Sequence, residues 1–264
     1  MHIISTSLAK AMALFSKGND DRSTKSAEII KAVLGKMLKL PCVTRWNSLF
    51  DSLTGLLEHG IDKVNFLCNR LELQNFTKDE WTFLEEYCEV LRPLAMGIDF
   101  LQGQDNCYYG FVLPTLLQIK NDTLNLQINK LQFAKPLAMG VLAGLEKRFG
   151  HLLNQDIEEV EKAMLATVSH PICKMGPIMA AKREELERIL LMEAKMLCPK
   201  PSPSTQAKTE KKMNYFTFTN GDSLEQYSQE KAVESEVTRY LQDNRENLSM
   251  LHEGTFQFSY QLLV

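Results

Sequence analysis

Arg45-Trp46 sets a cation beside an indole, a pairing in which the ring can stack on an unpaired base while the guanidinium contacts phosphate. Trp46 also leads an apolar stripe with Leu49, Phe50, Leu53, Leu56 and Leu57 at i, i+3, i+4, i+7 spacing, so it reads as a core residue as well. Glu85, Glu86 and Glu89 place three carboxylates on one short stretch. Converging carboxylates are what two-metal chemistry on phosphates requires. On a long helix such a run instead reads as a solvated face, and no metal site is assigned to it. His170 and Cys173 offer two ligands where structural zinc takes four. As a nucleophile and base they lack an activating context. No catalytic residue and no metal ligand follow from these groupings.

The elements that would position them are helices. Ile4, Leu8, Met12 and Phe15 fall at helical spacing over residues 3–17, and the Gly18-Asn19-Asp20-Asp21 break joins them to a second helix over 23–38. Gly35 is a weak point inside that second helix. Lys39-Leu40-Pro41-Cys42-Val43 is short, apolar and interrupted by proline, which suits an extended run at a sheet edge. Thr44 can cap the Arg-Trp helix, with Gly60 as its stop. Ile61, Val64, Leu67, Cys68 and Leu71 form a short amphipathic helix. Thr77-Lys78-Asp79-Glu80 is a capping box that opens a long helix to about residue 102, through Pro93. Further helices are expected over 111–131, from Pro136 to Leu152, from Asp156 to Val168 with a stop at His170-Pro171, and through Leu186 to Met196. Residues 198–220, with CPKPSPSTQAKTEKK at their start, cannot bury enough apolar surface to offset ordering and read as a disordered linker. A last helix over 223–241 has no obvious core of its own. The fold class is all-α, with at most a remnant β-strand near 39–43.

The Thr-Arg-Trp-Asn-Ser signature at 44–48, with its apolar lead-in and the helix after it, resembles hAT-superfamily DNA transposases and the proteins domesticated from them. The resemblance extends over Ser7-Leu8-Ala9-Lys10, Glu89-Val90-Leu91-Arg92-Pro93-Leu94, Tyr109-Gly110-Phe111-Val112-Leu113-Pro114-Thr115 and Leu165-Ala166-Thr167-Val168-Ser169-His170-Pro171. It implies a multi-helix insertion domain of an RNase H-like transposase, with the Arg-Trp element near the start of the insertion and close to DNA. Active members of the family use Mg²⁺ or Mn²⁺ held by two Asp and one Glu. None of the three can be assigned to a position in this sequence. The segment that reads Asp-Pro-Arg-aromatic-Lys in many relatives is Ser169-His170-Pro171-Ile172-Cys173-Lys174 here.

Charge sharpens the expectation. The net charge is −3, yet residues 1–50 hold eight Lys/Arg against three acids, a net of +5, whereas residues 51–106 hold four against eleven, a net of −7. A phosphate-facing surface therefore belongs at the N-terminal end, the alternative being solvated helix faces. Arg45, Trp46, Lys36 and Lys39 are the candidate nucleic-acid contacts. Six scattered cysteines read as buried thiols in a reducing compartment. No leader and no apolar window of about twenty residues is visible, so neither secretion nor membrane spanning is expected. The expected organisation is 1–60 for the N-terminal helices and Arg-Trp element, 61–197 for the helical insertion, 198–221 for the linker, and 222–264 for a C-terminal helix and tail leading toward a dimerisation region. The expected function is a catalytically inactive, transposase-derived module in the nucleus or cytoplasm that binds DNA or protein, or itself as a homo-oligomer. It needs no cofactor, membrane or small-molecule substrate. The alternative is a helical protein-interaction scaffold with no nucleic-acid role.

Overall fold

A computed structural model describes residues 2–18, 24–42, 46–103, 108–126, 128–197 and 221–246. Among them are ten α-helices: α1 (His2–Gly18), α2 (Thr24–Leu34), α3 (Trp46–Leu57), α4 (Ile61–Arg70), α5 (Lys78–Gln102), α6 (Val112–Asn125), α7 (Lys135–Leu153), α8 (Ile157–Ser169), α9 (Ala180–Leu197) and α10 (Gly221–Gln242). Two single 3₁₀ turns, Tyr109–Phe111 and Ile128–Lys130, lie between them. The all-α expectation holds, and the described residues contain no β-strand.

The chain forms two compact units. Unit 1 takes residues 1–103 and 118–148, and unit 2 takes 104–117 and 149–264, so the chain passes from one to the other after residue 103, again inside α6 and a third time inside α7. The expected linker at 198–220 lies outside the described residues.

Unit 1 is organised on α5. The capping box is present as its sequence requires: Glu80 N–H donates to the Thr77 hydroxyl at 3.2 Å, and Thr77 N–H donates to the Glu80 carboxylate at 2.8 Å. The chain reaches that cap through Phe76, whose amide and carbonyl are both held by the Asn65 side chain of α4, at 2.7 and 2.9 Å. Phe76 packs edge-on against Trp81, at 5.8 Å between centroids. Leu84, Cys88, Leu91 and Ala95 continue the buried stripe against Leu14 and Phe15 of α1, Leu53 and Leu56 of α3, and Val64 and Leu67 of α4. Glu80 has a second partner. Lys10 of α1 reaches it at 2.7 Å, with both side chains largely buried, and also donates to the Asn75 carbonyl.

Glu86 departs from the solvated face expected for Glu85-Glu86-Glu89. It is only 7% exposed, and its carboxylate accepts the amides of Gln132, Phe133 and Ala134 at 2.6, 2.8 and 2.8 Å. These are the orphan donors ahead of α7, so a side chain of α5 caps a helix that begins about fifty residues later. Glu85 instead accepts the Trp81 indole N–H.

Two helices end earlier than their periodicity suggests. α2 was expected to reach residue 38, but Gly35 adopts φ +81° and its N–H closes on the Lys31 carbonyl at 2.9 Å. Glycine enters that left-handed conformation without the Cβ clash other residues meet, which makes Gly35 a terminator. α6 stops at Asn125 rather than continuing to 131. Leu126, Ile128 and Leu131 keep their apolar spacing but reach Val90, Ala134 and Ala138 from turns.

In unit 2, α8 packs on the Tyr109–Phe111 turn and on α9, and α9 packs on α10. The turn comes so close that a Cβ built on Gly110 would lie 2.4 Å from the Ala166 carbonyl oxygen. The Thr167 hydroxyl donates to the Gly110 carbonyl at 3.0 Å. Residues 170–179 are turns held from within: fully buried Gln155 donates to the Pro177 carbonyl and accepts from the Met179 amide, at 2.8 and 2.7 Å. The expectation that the last helix lacks a core is overturned. Val233, Val237 and Tyr240 of α10 are buried, and the Tyr240 hydroxyl donates to the Val168 carbonyl at 3.0 Å.

Candidate nucleic-acid interface

Of the four residues singled out from the sequence, the structure describes the side chains of two, Lys36 and Lys39. Arg45 lies outside the described residues; Trp46 begins α3, but its side chain is outside them as well. Lys36 and Lys39 are exposed, in the segment that leads from α2 to α3.

The path of that segment follows from two fasteners. At one end, the Lys36 ammonium meets Glu58, just past the last turn of α3, at 2.6 Å. At the other, the Ser48 hydroxyl accepts from the Cys42 amide and donates to the Cys42 carbonyl, both at 2.8 Å, in the first turn of α3. Residues 36–42 therefore run antiparallel to α3 along its length. The segment is long enough: six steps of at most about 3.3 Å reach up to about 20 Å, and the ten helical steps from 48 to 58 need about 15 Å. This accounts for the missing strand at 39–43. The described part of the stretch has no regular structure: the backbone groups of Cys42 are taken by a helix side chain, and the described residues include no strand to supply a ladder. Val43 lies outside the described residues.

Two members of the Thr-Arg-Trp-Asn-Ser signature act as structural fasteners. Ser48 holds the lead-in, as above. Asn47 donates to the Ala95 carbonyl at 3.2 Å and to the Asp99 carboxylate at 2.7 Å, fixing the first turn of α3 on α5. The entry to α3 is thus held from two sides at the residues that flank Arg45-Trp46 on its C-terminal side.

Past the other end of α3, charge accumulates. His59 has its pKa pushed down by burial, and by the positive charges of Lys36 and Lys63, which both act on it against the opposing pull of Glu58. The imidazole is thus held toward its neutral form by two cations, one from the connecting segment and one from the first turn of α4. Glu58 is lowered by its hydrogen bond and charge interaction with Lys36. The Lys36–Glu58 pair is solvent-exposed, with side-chain exposures of 55% and 59%, so it is weak and opens readily. His59 and Lys63 were not singled out from the sequence. The available signal was the His59-Gly60 turn, which reverses the chain and brings the start of α4 back beside the end of α2.

Among the described residues, no group of three or more His, Cys, Asp or Glu side chains could hold a metal ion. Cys68, Cys88 and Cys173 are buried thiols raised to about 11, chiefly by burial, whereas Cys42 is exposed. No described helix is long and apolar enough to cross a membrane. Comparison with known proteins found no matching family model, and no curated protein or solved structure matched the chain.

Proposed function

We propose that this chain is a non-catalytic DNA-binding module of hAT-transposase descent, acting in the nucleus, whose DNA-facing side is the end of unit 1 that presents Lys36, Lys39 and Lys63. The observation that carries the reading is the course of residues 36–42 along α3, which brings Lys36 to Glu58 at the end of α3, where it acts with Lys63 on His59, and leaves Lys39 exposed between the two fastened ends. Phosphate can replace Glu58 on Lys36 at little cost, because an exposed pair is weak. Arg45 and Trp46, which the resemblance puts close to DNA, follow the same segment in the chain. In this reading the contacts go to phosphates, with Trp46 stacking on an unpaired base where one is offered. No cofactor takes part.

Binding to duplex and hairpin DNA measured over a range of salt tests the proposal. Phosphate contacts release counterions, so the slope of log K against log salt is roughly −0.9 per contact on duplex. The triple variant K36E/K39E/K63E should flatten that slope by about 2.7 and leave unfolding unchanged. Binding that ignores salt, or a slope that the triple variant does not alter, defeats the reading. Trp46→Ala separates the two roles of the indole: weaker hairpin binding with unchanged unfolding is stacking, and a loss of several kcal/mol of stability is core packing. With labelled hairpin DNA and Mn²⁺, the purified protein should give no nicks above a buffer control. Cleavage abolished by Glu85→Gln or Glu89→Gln would overturn the non-catalytic assignment.

A protein-interaction scaffold is the second reading. Met37 and Leu40, exposed to 40% and 49%, share the segment with Lys36 and Lys39. Capture of a protein or of a second copy that persists at high salt and is lost on replacing Met37 and Leu40 would favour it.

A further inference from the structure

His170 lies at the first turn after α8 and is 1% exposed. Its ring packs against Phe111 and Tyr108, with centroids 4.2 and 5.4 Å away, and its Nδ1 accepts the Ile172 amide at 3.3 Å. That bond requires Nδ1 to be without a proton, so the neutral ring carries its hydrogen on Nε2. The same turn grips α10 on both sides of the histidine. Two residues before it, the Val168 carbonyl accepts the Tyr240 hydroxyl. Four residues after it, Lys174 lies 5.2 Å from the Tyr240 ring centroid and donates to the carbonyls of Asp243 and Arg245 just past the end of α10. The Lys174 backbone is held in the left-handed region at φ +43°, with its amide, like that of Cys173, bonded to the His170 carbonyl at 3.0 Å.

We propose that the His170 turn is a proton-operated latch for α10: with a neutral imidazole it holds the helix on unit 2, and on protonation it lets the helix go. A proton added to Nδ1 sets a donor against the Ile172 amide and places a charge in an aromatic enclosure. Either effect displaces the His170–Lys174 turn, and Lys174 loses its position on the end of α10. Burial pushes the His170 pKa below its ordinary 6.5. The groups around it are Tyr108 from the turn before α6, Cys173 and Lys174 on its own turn, and, from α10, Tyr240 with Asp243 and Arg245 reached through Lys174. The Cys173 thiol is raised to about 11 by burial, and Asp243 is held at about 2 by its Arg245 bonds, so neither titrates between neutral and mildly acidic pH. The sign follows from linkage. Above pH 6.5 both states are neutral and the latch is at full strength; below 6.5 the open form takes up the proton first, and closure weakens until the lowered folded pKa is reached.

The test is hydrogen exchange on the full chain between about pH 7.5 and about pH 5, corrected for intrinsic rates, with α5 as the internal standard. Exchange in the 233–242 stretch should accelerate by up to about tenfold per pH unit below 6.5. His170→Asn keeps an acceptor for the Ile172 amide and cannot take the proton, so it should remove that acceleration. Tyr240→Phe should loosen α10 at every pH. A flat profile in the natural chain, or equal acceleration in His170→Asn, overturns the latch. Should His170→Asn fail to fold, the natural chain still decides: the NMR titration midpoint of the His170 ring, identified by its contacts to Phe111 and Tyr108, must coincide with the midpoint of α10 release, and a mismatch overturns the proposal.

Discussion

Replacing Glu86 with Ala removes a buried carboxylate that satisfies three amides at the start of α7, and the cost can be worked donor by donor. Gln132 is exposed, so water replaces the lost acceptor there at little cost. Phe133 is half-buried and Ala134 fully buried, so each of those amides is left without an acceptor, at about 1–3 kcal/mol. The lost anion at a helix N-terminus adds about 0.3–1 kcal/mol, and relief of the buried charge offsets part of the total. The expected destabilisation of unit 1 is about 3 kcal/mol. Glu86→Gln keeps one oxygen for Phe133 and Ala134 and loses only the exposed outer bond and the anion, so a cost of about 1 kcal/mol or less is expected. Trp46 and Trp81 both belong to unit 1, so tryptophan fluorescence during urea unfolding reads the right transition. Hydrogen exchange should localise the change to residues 132–138. An alanine variant within about 0.5 kcal/mol of the natural chain, the range of an ordinary surface change, would refute the argument that these three amides depend on one side chain.

Three further outcomes are expected. Lys10→Met leaves Glu80 buried with only its Thr77 partners, and should cost about 2–4 kcal/mol at neutral pH by urea unfolding. Burial raises the Glu80 pKa, but the bonds from Lys10 and Thr77 outweigh it and leave the pKa lowered, so the group's contribution is complete above the unfolded value near 4.5 and is lost as the pH falls through the lowered one. The Lys10→Met penalty should therefore shrink below about pH 4, and a penalty independent of pH would count against the pair. Gly110→Ala forces a methyl toward the Ala166 carbonyl and should cost at least about 1–3 kcal/mol in unit 2 while sparing tryptophan-detected unfolding of unit 1. Cys42 should react with a thiol reagent under native conditions well before Cys68, Cys88 or Cys173, and equal rates would contradict their burial.

What the sequence disclosed depended on how local the cause was. The Thr77–Glu80 box spans four residues and is legible, as are the helices whose apolar stripes face a continuous core. Glu80 also binds Lys10, seventy residues away, and no spacing rule reaches that far. Glu86 looked like its neighbours because its partners are backbone amides, which every residue possesses and no sequence pattern marks. By spacing alone Gly35 reads as a weakness inside a helix, whereas its positive φ makes it the end of one. Past Asn125 the apolar period persists although the helix does not, since spacing reports which residues are buried and leaves the backbone open. At the candidate interface the lysine-rich connection was visible. Its course along α3 was set by Ser48 and Glu58, and two hydroxyl bonds and an exposed ion pair leave no hydrophobic trace.

The three crossings of the chain, after residue 103, inside α6 and inside α7, bear on the order in which the protein can be made. When residues 1–103 have left the ribosome, α5 is complete but the amides that satisfy Glu86 have not been synthesised, so unit 1 holds an unanswered carboxylate at its centre. Residues 132–134 supply the answer, and the span that closes unit 1 continues to 148. The first stretch of unit 2, residues 104–117, emerges in between, before the rest of that unit exists. Neither unit can therefore finish folding ahead of the other's first contribution. A fragment cut at residue 103 would lack the partners of its own buried acid, and the shortest piece that contains all of unit 1 necessarily carries the opening segment of unit 2.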